Sequence, residues 1–309
     1  MNAKTLFIVN PNSANGRTGR RWNFIEGEIR RNYQDEIDVE FTGYSKHAVR
    51  ISRERASGYE MIVVVGGDGT INEVVNGIFA DDELINPNLI LGVVPYATGS
   101  DFVRSIDIPS SVDQAANLLK TGRVMELDVG RVKCLNFEGG EITHYFLNEA
   151  EFGMGSMVVD RVNRTTKLFG GKISFLLGIL STLNDYENQL IKFQLDDGDP
   201  REQIINNMWI ANGGYSGGGI NSAPRAILDD GLLDVVCIGD LSLIEKYLNL
   251  PKLRNGTFIE VEKVSYYKCK RIKAASPERV LVETDGELIG QLPAEIEILQ
   301  RRLRVMTNL

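Results

Sequence analysis

Met61-Ile62-Val63-Val64-Val65-Gly66-Gly67-Asp68-Gly69-Thr70-Ile71-Asn72-Glu73-Val74-Val75 sets the reading of the whole chain. Its first five residues are apolar and mostly β-branched, which predicts a buried strand. Ile71 to Val75 reads as the opening of a helix. Glycines between a strand and a helix let the backbone turn tightly, and the helix N-terminus offers unpaired N–H groups with partial positive charge. Such a loop suits an anion, phosphate first among them. Asp68 would repel a phosphate unless a cation lay between them, which points to a metal-nucleotide or a metal-bound water. The loop is not a Walker A sequence, since no Gly-Lys-Ser/Thr follows, and Asn72 stands where a dinucleotide fingerprint has its third glycine.

Strands and helices alternate on both sides of this stretch. Leu6 to Val9 reads as a strand ending at Asn10-Pro11-Asn12-Ser13-Ala14, Arg20 to Arg31 as a helix, Val39 to Thr42 as a strand and Lys46 to Ser57 as a helix. Downstream come a strand from Leu89 to Val94, ending at Pro95, and a helix from Val112 to Thr121. This alternation predicts an α/β domain with a parallel sheet, whose ligands sit beyond the carboxyl ends of the strands. The polar loops Asn10–Gly16, Gly66–Thr70 and Pro95–Arg104 then share one edge.

From Glu126 onward the texture becomes β-rich. Strand-like runs cover Leu127–Val132, Thr143–Asn148, Leu190–Leu195, Asn207–Ala211, Leu233–Ile238, Phe258–Tyr267, Lys270–Ala275 and Val280–Thr284. Short strands with turn signals predict a β-sandwich-like second domain. Helical patterns interrupt it at Ser156–Asn184 and Leu243–Leu253. The reading places a first domain at 1–126 and a second at 127–294; the strand-like run Glu295–Met306 could rejoin the first within 295–309.

With 309 residues, 43% of them hydrophobic, the chain can build a core in each of two domains. A net charge of −8 argues against general nucleic-acid binding. Cys134, Cys237 and Cys269 are odd in number, far apart and outside any CxxC pattern, so neither a disulfide framework nor a zinc site is indicated. The N-terminus lacks the form of a signal peptide, and the longest strongly apolar stretch, Ile173 to Leu180, falls short of the about 20 residues a bilayer span needs. A reducing cytoplasm is the expected setting, and any membrane contact is peripheral.

Two further clusters lie in the β-rich part: Asp229-Asp230-Gly231-Leu232-Leu233-Asp234 and Glu283-Thr284-Asp285-Gly286-Glu287. Each alone reads as a hairpin turn. Taken together and in order, the motifs resemble the diacylglycerol kinase catalytic family, specifically the soluble bacterial lipid kinases, over nearly the full length. Asn10-Pro11 with the small residues after it is similar to the family's opening motif, and the glycine loop with Ile71-Asn72-Glu73 to its nucleotide motif. Pro95 to Arg104 resembles Pro-x-Gly-Thr-x-Asn-Asp-x-x-Arg, with Ala97 in place of Gly and Ser100 in place of Asn. Gly217-Gly218-Gly219, Pro224 and Asp229 to Asp234 resemble a segment that binds a structural magnesium ion, and Asp285-Gly286-Glu287 resembles the catalytic turn.

The resemblance implies a three-layer α/β nucleotide domain of the NAD-kinase/phosphofructokinase type followed by a β-sandwich-like domain. It implies ATP- and magnesium-dependent transfer of a γ-phosphoryl group to a lipid hydroxyl, with diacylglycerol as the expected substrate. Asp285 would be the general base, in a domain other than that of the phosphate loop. Asp68, Asp101 and Glu287 would hold a magnesium ion. Nucleotide contacts would come from Asn10, Pro11, Asn12, Ser13, Ala14, Thr42, Gly66, Gly67, Gly69, Thr70, Ile71, Asn72, Glu73 and Thr98, with Arg104 steadying a phosphate or Asp101. A second ion would sit on the Asp230 carboxylate and the carbonyls of Ile227 and Leu232.

Arg161, Arg164, Lys167 and Lys172, beside Phe169 and Ile173 to Leu180, form a basic patch that suits an anionic membrane surface at the inner face of the membrane. The same pattern equally suits a solvated helix face above a core-packed run. His47 and His144 are isolated, and Trp22 and Trp209 read as packing residues. Sphingoid-base kinase, NAD kinase and a non-catalytic nucleotide-binding regulator are the competing readings. A homodimer is among the expected assemblies.

Overall fold

The computed structural model describes residues 4–33, 35–97, 100–165, 179 and 181–309. The chain forms two compact units, the first drawn from 1–129, 217–219 and 299–309 and the second from 130–216 and 220–298.

In the first unit, β1 (Thr5–Val9), β2 (Ile37–Phe41) and β3 (Met61–Gly66) are followed by a hairpin of two short strands, β4 (Phe79–Ala80) and β5 (Glu83–Leu84), and by β6 (Ile90–Pro95). The sheet runs β2-β1-β3-β6, every neighbouring pair parallel. β1 and β3 are buried along their whole length, as expected of central strands covered on both faces. The helices are α1 (Ser13–Arg20), α2 (Trp22–Asn32), α3 (His47–Arg55), α4 (Asp68–Ile78), α5 (Asp101–Ser105) and α6 (Val112–Thr121). α3 packs on α4 and α2 on α6. The first of these contacts is close because residue 77 is glycine: a Cβ there would lie 1.8 Å from Ser52 Oγ and 2.4 Å from the Val49 carbonyl.

Parallel pairing with Val9 opposite Val65 and Gly66 opposite Pro95 brings the loops after β1, β3 and β6 to one edge. Residues 299–309 supply a further parallel strand, Arg304 opposite Ile90 and Val305 opposite Leu91. Gly217–Gly219 also belongs to this unit. Its φ values of 54°, 80° and 116° are accessible together only to glycines.

The second unit contains the last part of β7 (Arg123–Leu135), then β8 (Glu141–Phe146), β9 (Glu149–Gly153), α7 (Met154–Thr165), β10 (Gln189–Leu195), β11 (Arg201–Ala211) and β12 (Leu233–Gly239). It ends with α8 (Leu243–Asn249), α9 (Lys252–Asn255), β13 (Val264–Cys269), β14 (Arg271–Ala275), β15 (Leu281–Thr284) and the first part of β16 (Glu287–Thr307). Antiparallel pairings close a ring: β16 to β14, β14 to β10, β10 to β11, β11 to β9, β9 to β15 and β15 back to β16. β11 serves both halves, changing partner near a register shift between Ile205 and Asn207. Phe146, Phe152, Phe193, Met208, Val282 and Ile296 fill the core.

Several elements differ from the sequence reading. α1, α5 and the β4–β5 hairpin are not expected from it, since 10–16 and 95–104 read as loops. The helix expected over Leu243–Leu253 is divided, because Pro251 lacks the N–H that an unbroken helix would need. Phe258 is in a 3₁₀ turn, Thr257–Glu260, and the strand begins only at Val264. β9 has no counterpart in the reading. The helix expected over Ser156–Asn184 is present at Met154–Thr165 and again at 181–185; 166–178 and 180 lie outside the described residues.

Candidate active site

β3 ends at Gly66, Gly67 is extended and α4 begins at Asp68, so the glycine loop is a strand-to-helix turn. A side chain at residue 66 would lie 2.9 Å from Thr70 Oγ1, which favours glycine there. Thr70 Oγ1 accepts from Asn10 Nδ2 at 2.9 Å, tying the loop after β1 to the loop after β3. Asn10 Oδ1 accepts the Asn12 N–H, and Ser13 Oγ donates to the Asn10 carbonyl. Ala14, Asn15 and Gly16 follow in the left-handed region, curling the chain before α1 proceeds. Pro11 is gripped through its carbonyl, which accepts from Gly19 N at 3.0 Å. Gly69 is exposed on the first turn of α4.

Several expected nucleotide contacts have structural duties here. Ile71 and Asn72 are buried, at 1% exposure each, so their side chains face the interior. Glu73 accepts the N–H groups of Lys46 and Ala48 at 2.8 and 3.1 Å and thereby holds the start of α3. Thr42 is buried and continues the β1–β2 pairing through its N–H to the Val9 carbonyl. Thr98 lies outside the described residues.

Asp68 reaches the neighbouring loop. Its Oδ2 accepts the Asp101 N–H at 2.8 Å and its Oδ1 the Phe102 N–H at 3.3 Å, both at the start of α5. Asp101 in turn takes the Arg104 guanidinium on Oδ1 at 2.9 Å and the Gly218 N–H on Oδ2 at 2.7 Å. Burial pushes the Asp101 carboxyl above its ordinary value, against the Gly218 N–H and Arg104, which favour the anion. Three segments of the first unit, the start of α4, the start of α5 and Gly217–Gly219, are thus joined by two carboxylates. Their oxygens are of the hard kind that magnesium takes.

Asp285 and Gly286 form the two-residue turn between Thr284 and its pairing partner Glu287, both with positive φ, 48° and 87°. The Asp285 carboxylate accepts the N–H groups of Leu147 at 2.9 Å, Asn148 at 2.9 Å and Glu149 at 3.1 Å. The Asp285 N–H donates to the Glu149 carbonyl at 3.1 Å. Asn212 braces the same backbone by donating to the Leu147 carbonyl at 2.8 Å. His144 Nδ1 lies 2.9 Å from Thr284 Oγ1, a structural role beside the turn. Glu287, half-buried, opens β16.

At the other acidic turn, Asp230 Oδ2 lies 2.8 Å from Lys268 Nζ, and Oδ1 accepts the Leu232 N–H at 3.0 Å. Lys268 also lies 3.4 Å from Asp234, whose Oδ1 accepts from Tyr266 at 2.7 Å. Burial pulls the Lys268 ammonium down, but Asp230 and Asp234 outweigh it and hold it above its usual value. Ile227 is 52% exposed. The Lys268 ammonium already supplies a cation to both the Asp230 and Asp234 carboxylates, so the turn keeps its shape without an ion on Asp230.

Of the basic patch, Arg161 pairs with Asp185 at 3.0 Å and Arg164 with Asp160 at 2.9 Å. Lys167, Phe169, Lys172 and all but Ile179 of Ile173–Leu180 lie outside the described residues. Among the described residues no helix is long and apolar enough to cross a membrane.

Residues 148–307 match the YegS C-terminal NAD kinase beta sandwich-like domain, and residues 4–132 match the diacylglycerol kinase catalytic domain. The chain belongs to the diacylglycerol kinase family of bacterial lipid kinases. It is 27% identical over 310 residues to a diacylglycerol kinase of Mycobacterium tuberculosis, covering 98% of this chain and 94% of the relative. It is 28% identical over 260 residues to one from Staphylococcus carnosus, covering 84% and 80%. A crystal structure from Bacillus anthracis, provisionally assigned as a diacylglycerol kinase, superimposes with a TM-score of 0.79 at 27% identity, covering 99% of this chain and 95% of that one.

The lipid kinase also contains a group of acids that sequence reasoning missed. Glu149, Glu151 and Glu283 are 3%, 5% and 1% exposed, and their carboxylate oxygens lie within 4.8 Å of one another. Alternation in Glu149-Ala150-Glu151-Phe152 was the available signal: Ala150 and Phe152 enter the core, so both glutamates fall on the opposite face.

Proposed function

We propose that this lipid kinase transfers the γ-phosphoryl group of ATP to the hydroxyl of diacylglycerol, giving phosphatidic acid. The observation that carries the reading is the edge of the parallel sheet, where three strand-end loops are tied together by Asn10, Asp68 and Asp101. Phosphoryl transfer demands mainly positioning and charge neutralisation, and a braced edge beside a helix N-terminus supplies both. The names of full-length relatives support the choice of lipid. Asp68 and Asp101 would hold the magnesium of the nucleotide, which neutralises phosphate charge when bound.

Asp285 acts as the general base in this reading. The lipid oxygen bonds to the γ-phosphorus, the bond from that phosphorus to the β–γ bridging oxygen breaks, and the hydroxyl proton passes to the Asp285 carboxylate. Three backbone donors orient that carboxylate in advance.

The deciding experiment incubates the protein with radiolabelled ATP, magnesium and, separately, diacylglycerol, sphingosine, undecaprenol or NAD. Labelled phosphatidic acid is the expected product. Phosphorylation of another member of the panel would replace the substrate, and no labelled lipid at all would overturn the reading.

A further inference from the structure

A buried carboxyl group beside two others is costly, and an apolar residue would pack at less expense. Glu283 nevertheless stands there, at 1% exposure, directly opposite Glu151 in the β15–β9 pairing. Its Oε2 accepts the Gly286 N–H at 2.7 Å. At the tip of a two-residue hairpin that N–H takes no part in the strand ladder and would ordinarily face water. Here it is caught by a side chain of the preceding strand.

The anchorage continues inward. Asn207 Nδ2 donates to Glu151 Oε1, and Asn207 Oδ1 accepts the Gly155 N–H at 2.9 Å in the first turn of α7. Ser156 Oγ donates to the Glu151 carbonyl at 3.0 Å. The helix lies so close that a Cβ at residue 155 would stand 1.7 Å from Glu151 Oε1. Burial, and then the charges of Glu151 and Glu149, push the Glu283 carboxyl well above the ordinary carboxylate range; burial raises Glu151 as well. A neutral Glu283 can donate its proton to Glu151 while its other oxygen takes the Gly286 N–H.

We propose that Glu283 is a positioning residue of this kinase: its carboxyl group clamps the Gly286 N–H, fixes where Asp285 stands, and is itself anchored through Glu151 and Asn207 to α7. β9 then holds the turn at two residues, at Glu149, whose N–H and carbonyl both bond to Asp285, and at Glu151 behind Glu283. The proposal rests on the reading of Asp285 as base.

Glu283→Gln keeps an acceptor for Gly286 and a donor for Glu151, whereas Glu283→Leu keeps the bulk and loses both. The leucine variant should lose roughly ten- to hundredfold in kcat, the scale of a misplaced reacting group, with KM for ATP unchanged. The glutamine variant should recover kcat close to that of the parent. Hydrogen exchange of the Gly286 amide, followed by NMR, should be slow in the parent and faster in the leucine variant. Parent-like kcat together with parent-like exchange in Glu283→Leu overturns the proposal. So does unprotected exchange of Gly286 in the parent, a measurement that needs no variant to fold. A parent inactive toward every lipid would instead reject the kinase reading of Asp285, while the exchange data still decide the clamp.

Discussion

Asp285→Asn preserves the size of the side chain but places an amide NH₂ among three backbone N–H donors and removes the proton acceptor. Turnover should fall by about 10²-fold or more, with ATP affinity unchanged by calorimetry, because the groups proposed to contact nucleotide belong to the first unit. Near-parent turnover would remove Asp285 from the chemistry. The buried glutamates give a pH dependence. Glu151 and Glu283 have raised values in the folded protein, so the folded state retains protons that the unfolded chain releases above the ordinary value of 4.5. Stability should therefore fall as pH rises from that value through the folded ones, by at most about 1.4 kcal/mol per pH unit for each group. Urea midpoints between pH 5 and 9 should decline, and less steeply in Glu283→Gln; equal slopes would exclude Glu283 as a source. Asp285 was legible because Asp-Gly is a turn signal and part of a motif. Glu149 and Glu151 were not: alternation puts them on one face of the strand, but nothing in local sequence says that this face is buried.

The parallel strands of the first unit were read well, because a sheet covered on both faces leaves continuous β-branched runs such as Met61–Val65, whereas the short α1, α5 and β4–β5 carry no such run. The second unit was harder: β9 mixes acids with core residues, and Phe258 is apolar whether it lies in a strand or a 3₁₀ turn. Helix packing provides a strict test. Gly77→Ala would drive a methyl into Ser52 and the Val49 carbonyl, and should cost about 1–3 kcal/mol by overpacking. An unchanged melting temperature would show that α3 and α4 can separate without penalty. At the Asp230 turn, EDTA should leave the melting temperature unaltered, since Lys268 supplies a cation to Asp230 and Asp234; Lys268→Met should lower it. A large loss on chelation, reversed by magnesium, would return the turn to a metal.

For the whole molecule, the α/β and β-sandwich-like organisation was legible as a change of texture near Glu126. What local patterns could not reveal is that Gly217–Gly219 belongs with the first unit through the Gly218 N–H on Asp101, a bond spanning more than a hundred residues. If the first unit binds nucleotide, MgATP at about one hundred times its Kd should stabilise the protein by about 2.7 kcal/mol. Calorimetry with and without MgATP checks this, and an unshifted transition would take nucleotide out of the account.

β16 pairs with β15 through Glu287–Gln291, with β14 through Ala294–Glu297 and with β6 through Arg304–Val305. On the ribosome, β6 emerges some two hundred residues before its neighbour does. The nascent first unit therefore carries an unpaired, β-branched edge throughout synthesis of the second, the kind of surface that recruits chaperones or pairs with another chain.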